Sequence, residues 1–247
     1  MVPRESFGYL IAESVRQSYP GRTAVELGGV NMQITIREPG SALTHFIGMM
    51  MAVFAAMPLL VKAATSGGNV TLTAMTVFMA SMILLYGASA TYHSVNLTGS
   101  RLKFFKKIDH MMIFVLIAGS YTPVCLIVLG GASGYALLAL VWGIAIAGMV
   151  IKALWVTCPK WFSSLIYIAM GWVCVLVFGQ LLDTLPTAAF LWLLAGGIIY
   201  TIGGVIYALK LPLFNAHHKY FGSHEIFHLF VMGGSICHFI FMYAYVA

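Results

Sequence analysis

Two histidines, His224 and His228, stand four residues apart near the C-terminus. On a helix that spacing puts both imidazoles on one face. Two imidazoles so placed can chelate one metal ion. Ser89 and His93 share the same spacing much earlier in the chain. Only seven acids are present, and four of them (Glu5, Glu13, Glu26 and Glu38) precede the first long apolar run. Asp183 lies at the end of a later run. Asp109 and Glu225 are left as acids at the starts of apolar runs, where an ionisable group is costly and marks a candidate site.

The chemistry available to this set is that of a catalytic metal. Three histidine nitrogens (His93, His224 and His228) with a fourth position open form the shell of a catalytic Zn2+. Zinc in such a shell lowers the pKa of a bound water to about 7. Asp109 alone is too little for a metal cage and suits a base that holds or deprotonates that water. Ser89 could hydrogen-bond the same water or a substrate oxyanion. A single membrane histidine is better read as an interfacial residue bonded to backbone or water. The convergence of the whole set favours a metal.

That convergence depends on the elements that carry the residues. The chain has 247 residues, of which 61% are hydrophobic and 8% charged. A soluble domain carries about 25% charged residues, so the composition excludes a soluble fold and requires a bilayer. Seven runs approach the roughly 20 apolar residues that a spanning helix needs: about 41–62, 71–95, 109–130, 134–154, 162–182, 187–209 and 222–246. The expected fold is therefore an all-α integral membrane protein, a bundle of seven transmembrane helices. The runs show no barrel-type alternation.

Lysines and arginines set the orientation. Twelve of the thirteen fall in alternate segments, and only Lys62 lies on the other side. This places the N-terminus in the cytoplasm and the C-terminus outside. Helix two then ends, and helices three and seven begin, on the inner side. Ser89, His93, Asp109, His224 and His228 all come to that rim.

Residues 1–40 read as a cytoplasmic tail, and 41–247 as the membrane domain. Phe7, Leu10, Ile11 and Val15 share one helical face beside Arg4 and Arg16. They suit a short amphipathic helix on the inner membrane surface and, equally, a partly ordered tail. The tail has no continuous apolar core of a signal peptide, so the first membrane helix is expected to act as its own insertion signal. Cys125, Cys158, Cys174 and Cys237 form no C-x-x-C pair and suggest neither a disulfide framework nor a thiolate metal site. The net charge of +6 is read as orientation and headgroup contact, with no nucleic acid as partner. Gly196, Gly197, Gly203 and Gly204 recur at seven-residue spacing and suit close helix packing, and Pro123 is expected to kink the third helix.

Taken together, Ser89-x-x-x-His93, Asp109 and His224-x-x-x-His228 resemble the progestin and adiponectin receptor superfamily, and more closely its bacterial hemolysin III branch. Tyr92-His93-Ser94, "KKIDHMMIFVLIAGSYTP" from Lys106 to Pro123, "AMGW" from Ala169 to Trp172 and "GGSICHF" from Gly233 to Phe239 carry the likeness further, over about residues 38–247. The resemblance implies a seven-helix fold in the bacterial cytoplasmic membrane. It also implies zinc on His93, His224 and His228, with Asp109 engaging the zinc-bound water. Glu38 and His45 match the family's first-helix Glu-x-x-Asn-x-x-x-His pattern, with Ser41 in place of Asn.

These observations lead to a zinc-dependent hydrolase of lipid amides or esters, serving membrane lipid homeostasis. The superfamily includes ceramide-cleaving enzymes, so a lipid amidohydrolase is the activity implied, with a membrane lipid as substrate or ligand. The alternative is a non-enzymatic membrane receptor or regulator with a structural zinc. His224-Glu225-x-x-His228 also satisfies the H-E-x-x-H pattern of zinc proteases, but that reading leaves Ser89, His93 and Asp109 without a role. A pore-forming cytolysin would need polar residues through the full depth of several helices, and the centres of helices four, six and seven offer almost none.

Overall fold

The computed structural model describes residues 36–209 and 221–247, together with the backbone of 23–27 and 30–34. The chain divides into two compact units, Met1–Arg37 and Glu38–Ala247. In the first, β1 (Thr23–Leu27) and β2 (Val30–Ile34) pair antiparallel, with Leu27 opposite Val30. A hairpin thus lies within the segment read from sequence as a tail. The surface helix suggested for Phe7–Val15 falls outside the described residues.

Among its described residues, the second unit holds seven helices long and apolar enough to cross a membrane. They are α1 (Pro39–Ser66), α2 (Gly68–Ser94), α3 (Gly99–Leu129), α4 (Gly131–Leu154), α5 (Lys160–Thr184), α6 (Thr187–Leu209) and α7 (Ser223–Val246). Their burial is the inverse of a soluble protein's. Phe54, Met57, Leu154 and Leu176 are exposed, while Ser41, His45, Ser89, His93, Asp109 and His228 are buried. Lipid tails solvate the first group at no cost. The second group must find partners inside the bundle.

Two of the turns follow from local sequence. Gly68 adopts φ 69° between α1 and α2, and Gly130 and Gly131 adopt φ 58° and 53° between α3 and α4. A side chain would be strained at these angles. After Pro123, α3 passes into a π turn over Val124–Leu129. The helix begins ten residues before the apolar run at 109, because Arg101, Lys103, Lys106 and Lys107 form helix well yet are too polar to count toward a span. In α5 the α-helical hydrogen bonding is interrupted by a 3-10 segment, Trp172–Val177.

Antiparallel neighbours pack α1 on α2, α2 on α3 and α6 on α7, and α1 meets α7. Glycines permit the close approach of α6 to α7. A Cβ at Gly196 would lie 2.3 Å from the His238 ring, and one at Gly203 would lie 2.7 Å from Phe230. Helix α5 leans chiefly on α6. The space between α3, α5, α6 and α7 forms a cavity of about 190 Å3.

Candidate metal centre

His93 lies in the last turn of α2, and His224 and His228 lie in the first two turns of α7. Helix pairing brings residues more than a hundred positions apart to one depth. One ligand nitrogen from each of the three lies within 4.8 Å of the others. The Nε2 atoms of His93 and His224 are 3.3 Å apart.

The groups behind these rings fix which nitrogen is bare. The Glu38 carboxylate accepts from His93 Nδ1, so Nε2 keeps its lone pair. Thr44 Oγ1 sits 3.0 Å from His228 Nδ1 and also 3.0 Å from the carbonyls of Gly40 and Ser41. Those carbonyls can only accept, so they take the hydroxyl proton. The Thr44 oxygen is then the acceptor for His228 Nδ1–H, and His228 Nε2 is left bare. A partner on the far nitrogen is the usual support of a metal-binding histidine. Four-coordinate zinc holds nitrogen at about 2.0–2.1 Å, so two of its ligands stand roughly 3.3–3.4 Å apart. The observed separation and the bare lone pairs fit such an ion. His224 Nδ1 has no protein partner, and the residue also bounds a small cavity of about 30 Å3 with Lys160, Tyr207 and Ser223. That is room enough for a water.

Asp109, buried on α3, faces this centre from the cavity side. Its Oδ2 is 3.1 Å from His110 Nδ1. Asp109, Ser89, His224 and His228 all line the cavity. The five residues singled out from sequence are therefore gathered in one place.

The protease-type acid lies elsewhere. Glu225 accepts from Ser41 Oγ and, at 2.8 Å, from the Gly222 N–H, and it does not line the cavity. Its carboxylate satisfies one of the unpaired donors at the start of α7 and ties that start to α1. Ser41, which stands where the family pattern has Asn, supplies the link.

The family model for haemolysin-III related proteins matches residues 33–239. The chain is 38% identical over 215 residues to Hemolysin-3 of Bacillus cereus, covering 87% of this chain and 94% of that protein. It is 37% identical over 207 residues to the Hemolysin-3 homolog of Bacillus subtilis (strain 168), covering 83% and 92%. The protein belongs to the haemolysin-III family. That family is part of the progestin and adiponectin receptor superfamily. This haemolysin-III member is a multi-pass bacterial cell-membrane protein.

Sequence reasoning missed several parts of the centre in this haemolysin-III protein. Glu38 was counted among the tail acids, and only its place in the family pattern hinted at more. Thr44 carried no signal beyond lying one turn after Gly40. His45 stacks on His228 with ring centroids 3.5 Å apart and planes 9° off parallel. It lines the cavity, and neither of its nitrogens has a protein partner. The centres of α6 and α7 are also more polar than expected. Ser235 binds Tyr86 at 2.7 Å and Tyr200 at 2.8 Å, and His238 Nε2 lies 3.3 Å from the Leu193 carbonyl. These groups bond within the bundle and do not form the continuous polar lining of a pore.

Proposed function

We propose that this protein is a zinc-dependent hydrolase of lipid amides or esters, with its metal centre on the cytoplasmic side of the membrane. The observation that carries the reading is a largely buried three-imidazole cluster that opens, beside Asp109 and Ser89, onto a largely apolar cavity. His93, His224 and His228 would hold the ion, with Glu38 and Thr44 keeping two of the rings in the binding tautomer. Bound zinc would supply Lewis acidity and make water a usable nucleophile near neutral pH.

The chain's own residues supply the rest. Asp109 would accept a proton on a carboxylate oxygen, and Ser89, which lines the same cavity, would hydrogen-bond the water or a substrate oxyanion. The apolar walls take an acyl chain and exclude water. Asp109→Asn keeps the shape and removes the base, so turnover should fall by about 10²–10⁴-fold with metal content unchanged. The assay is hydrolysis of a panel of lipid amides and esters by the metal-loaded, purified protein. Absence of turnover across the panel would overturn the reading.

A second reading, a regulator with a structural zinc, rests on a different observation. Two of the three rings are backed by α1, through Glu38 and Thr44. An ion there would clamp α1, α2 and α7 together. On this reading chelation lowers the melting temperature steeply, whereas a purely catalytic ion leaves with the fold intact.

A further inference from the structure

A second reactive cluster lies where α4 passes into α5. Lys152, in the last turn of α4, is only 2% exposed. Its ammonium donates to Cys158 Sγ at 3.0 Å and to Ser163 Oγ at 2.5 Å, and Cys158 and Ser163 are 3.2 Å apart. The acids among the described residues are Glu38, Asp109, Asp183 and Glu225, and none of them ion-pairs with Lys152. A buried cation without an anion is costly. The group in contact that can become an anion is the Cys158 thiol.

We propose that Cys158 is a thiolate paired with the Lys152 ammonium, and that the Lys152–Cys158–Ser163 cluster is a modification site for small Michael acceptors such as unsaturated aldehydes. The thiolate, not the thiol, is the nucleophile. Its electron pair forms the S–C bond at the β-carbon as the C=C π bond breaks. The resulting carbanion takes a proton from the Lys152 ammonium. A thioether and a neutral amine remain, so a buried ion pair gives way to two neutral groups and no co-reactant is needed.

The surroundings agree with this. Burial pushes the Cys158 thiol up, but the hydrogen bonds from Ser163 and Lys152 and the lysine charge outweigh it and hold the thiol below its ordinary value. The other groups facing it are Ser163 and Tyr167 from α5 and Tyr207 from α6. Lys160 sits over the Tyr207 ring, 4.4 Å from its centroid. Tyr167, one turn beyond Ser163, lines the cavity and donates to the His110 carbonyl at 3.0 Å.

The test is the pH profile of Cys158 labelling by N-ethylmaleimide on the purified full chain, read by peptide mass spectrometry. A depressed folded-state pKa means that reactivity persists to lower pH. Its midpoint should lie below the ordinary thiol value of about 8.5. At about pH 6.5, Lys152→Met should slow labelling by about tenfold or more, since each unit of pKa is a tenfold change in thiolate there. Lys152→Arg should retain most of the rate. The wild-type profile decides the matter even if Lys152→Met fails to fold. A wild-type midpoint at or above about 8.5, no labelling at any pH, or equal rates in wild type and folded Lys152→Met would each overturn the proposal.

Discussion

Two polar clusters border the same cavity, about 15 Å apart along α7 at a rise of 1.5 Å per residue between His228 and His238. At the end formed by the last turn of α2 and the first turns of α7, His93 and His228 spend one nitrogen on Glu38 and Thr44 and turn the other toward a shared point. At the deep end, Tyr86, Ser235 and Tyr200 bond to one another, and His238 bonds the Leu193 carbonyl. Both clusters are buried polar groups in a membrane, and both are expensive to leave unpaired. They differ in where the lone pairs go. A cluster that closes on itself holds helices together, whereas one whose lone pairs converge on a common point asks for a ligand.

Removing a supporting group from the convergent cluster is the sharpest way to test this difference. Glu38→Gln should weaken metal binding by about 10–100-fold, because the ring it orients becomes free to turn. Competition with a chelator measures the shift, and an unchanged affinity would mean that Glu38 merely caps α1. In the self-closed cluster, Ser235→Ala should cost about 1–3 kcal/mol of stability, by taking the Ser235 partner from the Tyr200 hydroxyl and leaving Tyr86 only the Val231 carbonyl at 3.5 Å. Melting in detergent reads that cost, and metal content should stay the same. A loss of metal there would erase the distinction between the clusters. The smallest effect is expected at Glu225. Glu225→Gln removes a capping carboxylate worth about 0.5–2 kcal/mol and should leave both metal content and lipid turnover unchanged. A collapse of turnover would restore the protease-type role for that acid.

The fold was legible because the bilayer imposes length and apolarity on every span, and those can be counted in a sequence. The grouping of the candidate residues was legible for a related reason. Charge asymmetry gave each helix a direction, and direction put Ser89, His93, Asp109, His224 and His228 at one level before any contact was known. What could not be read was whatever depends on which faces meet. Glu38 lies before the first apolar run, where an acid looks like any solvated tail residue, and only the packing of α1 on α2 makes it the partner of His93. Thr44 is unremarkable in a helix, and His45 is marked only by its place in the family pattern, until α1 meets α7. The polar network of Tyr86, Tyr200 and Ser235 is scattered over three helices at no telling spacing. The first turns of α3 were missed because a test for apolar runs cannot see a basic, interfacial stretch of helix.

The central claim, that three imidazoles from α2 and α7 hold one metal ion, is tested most directly by elemental analysis of purified protein. Wild type should carry about one ion per chain, as a single set of three histidine ligands requires. His93→Ala and His224→Ala should each carry almost none, while Ser235→Ala keeps the full amount. Equal metal content in wild type and in both histidine variants would contradict the account.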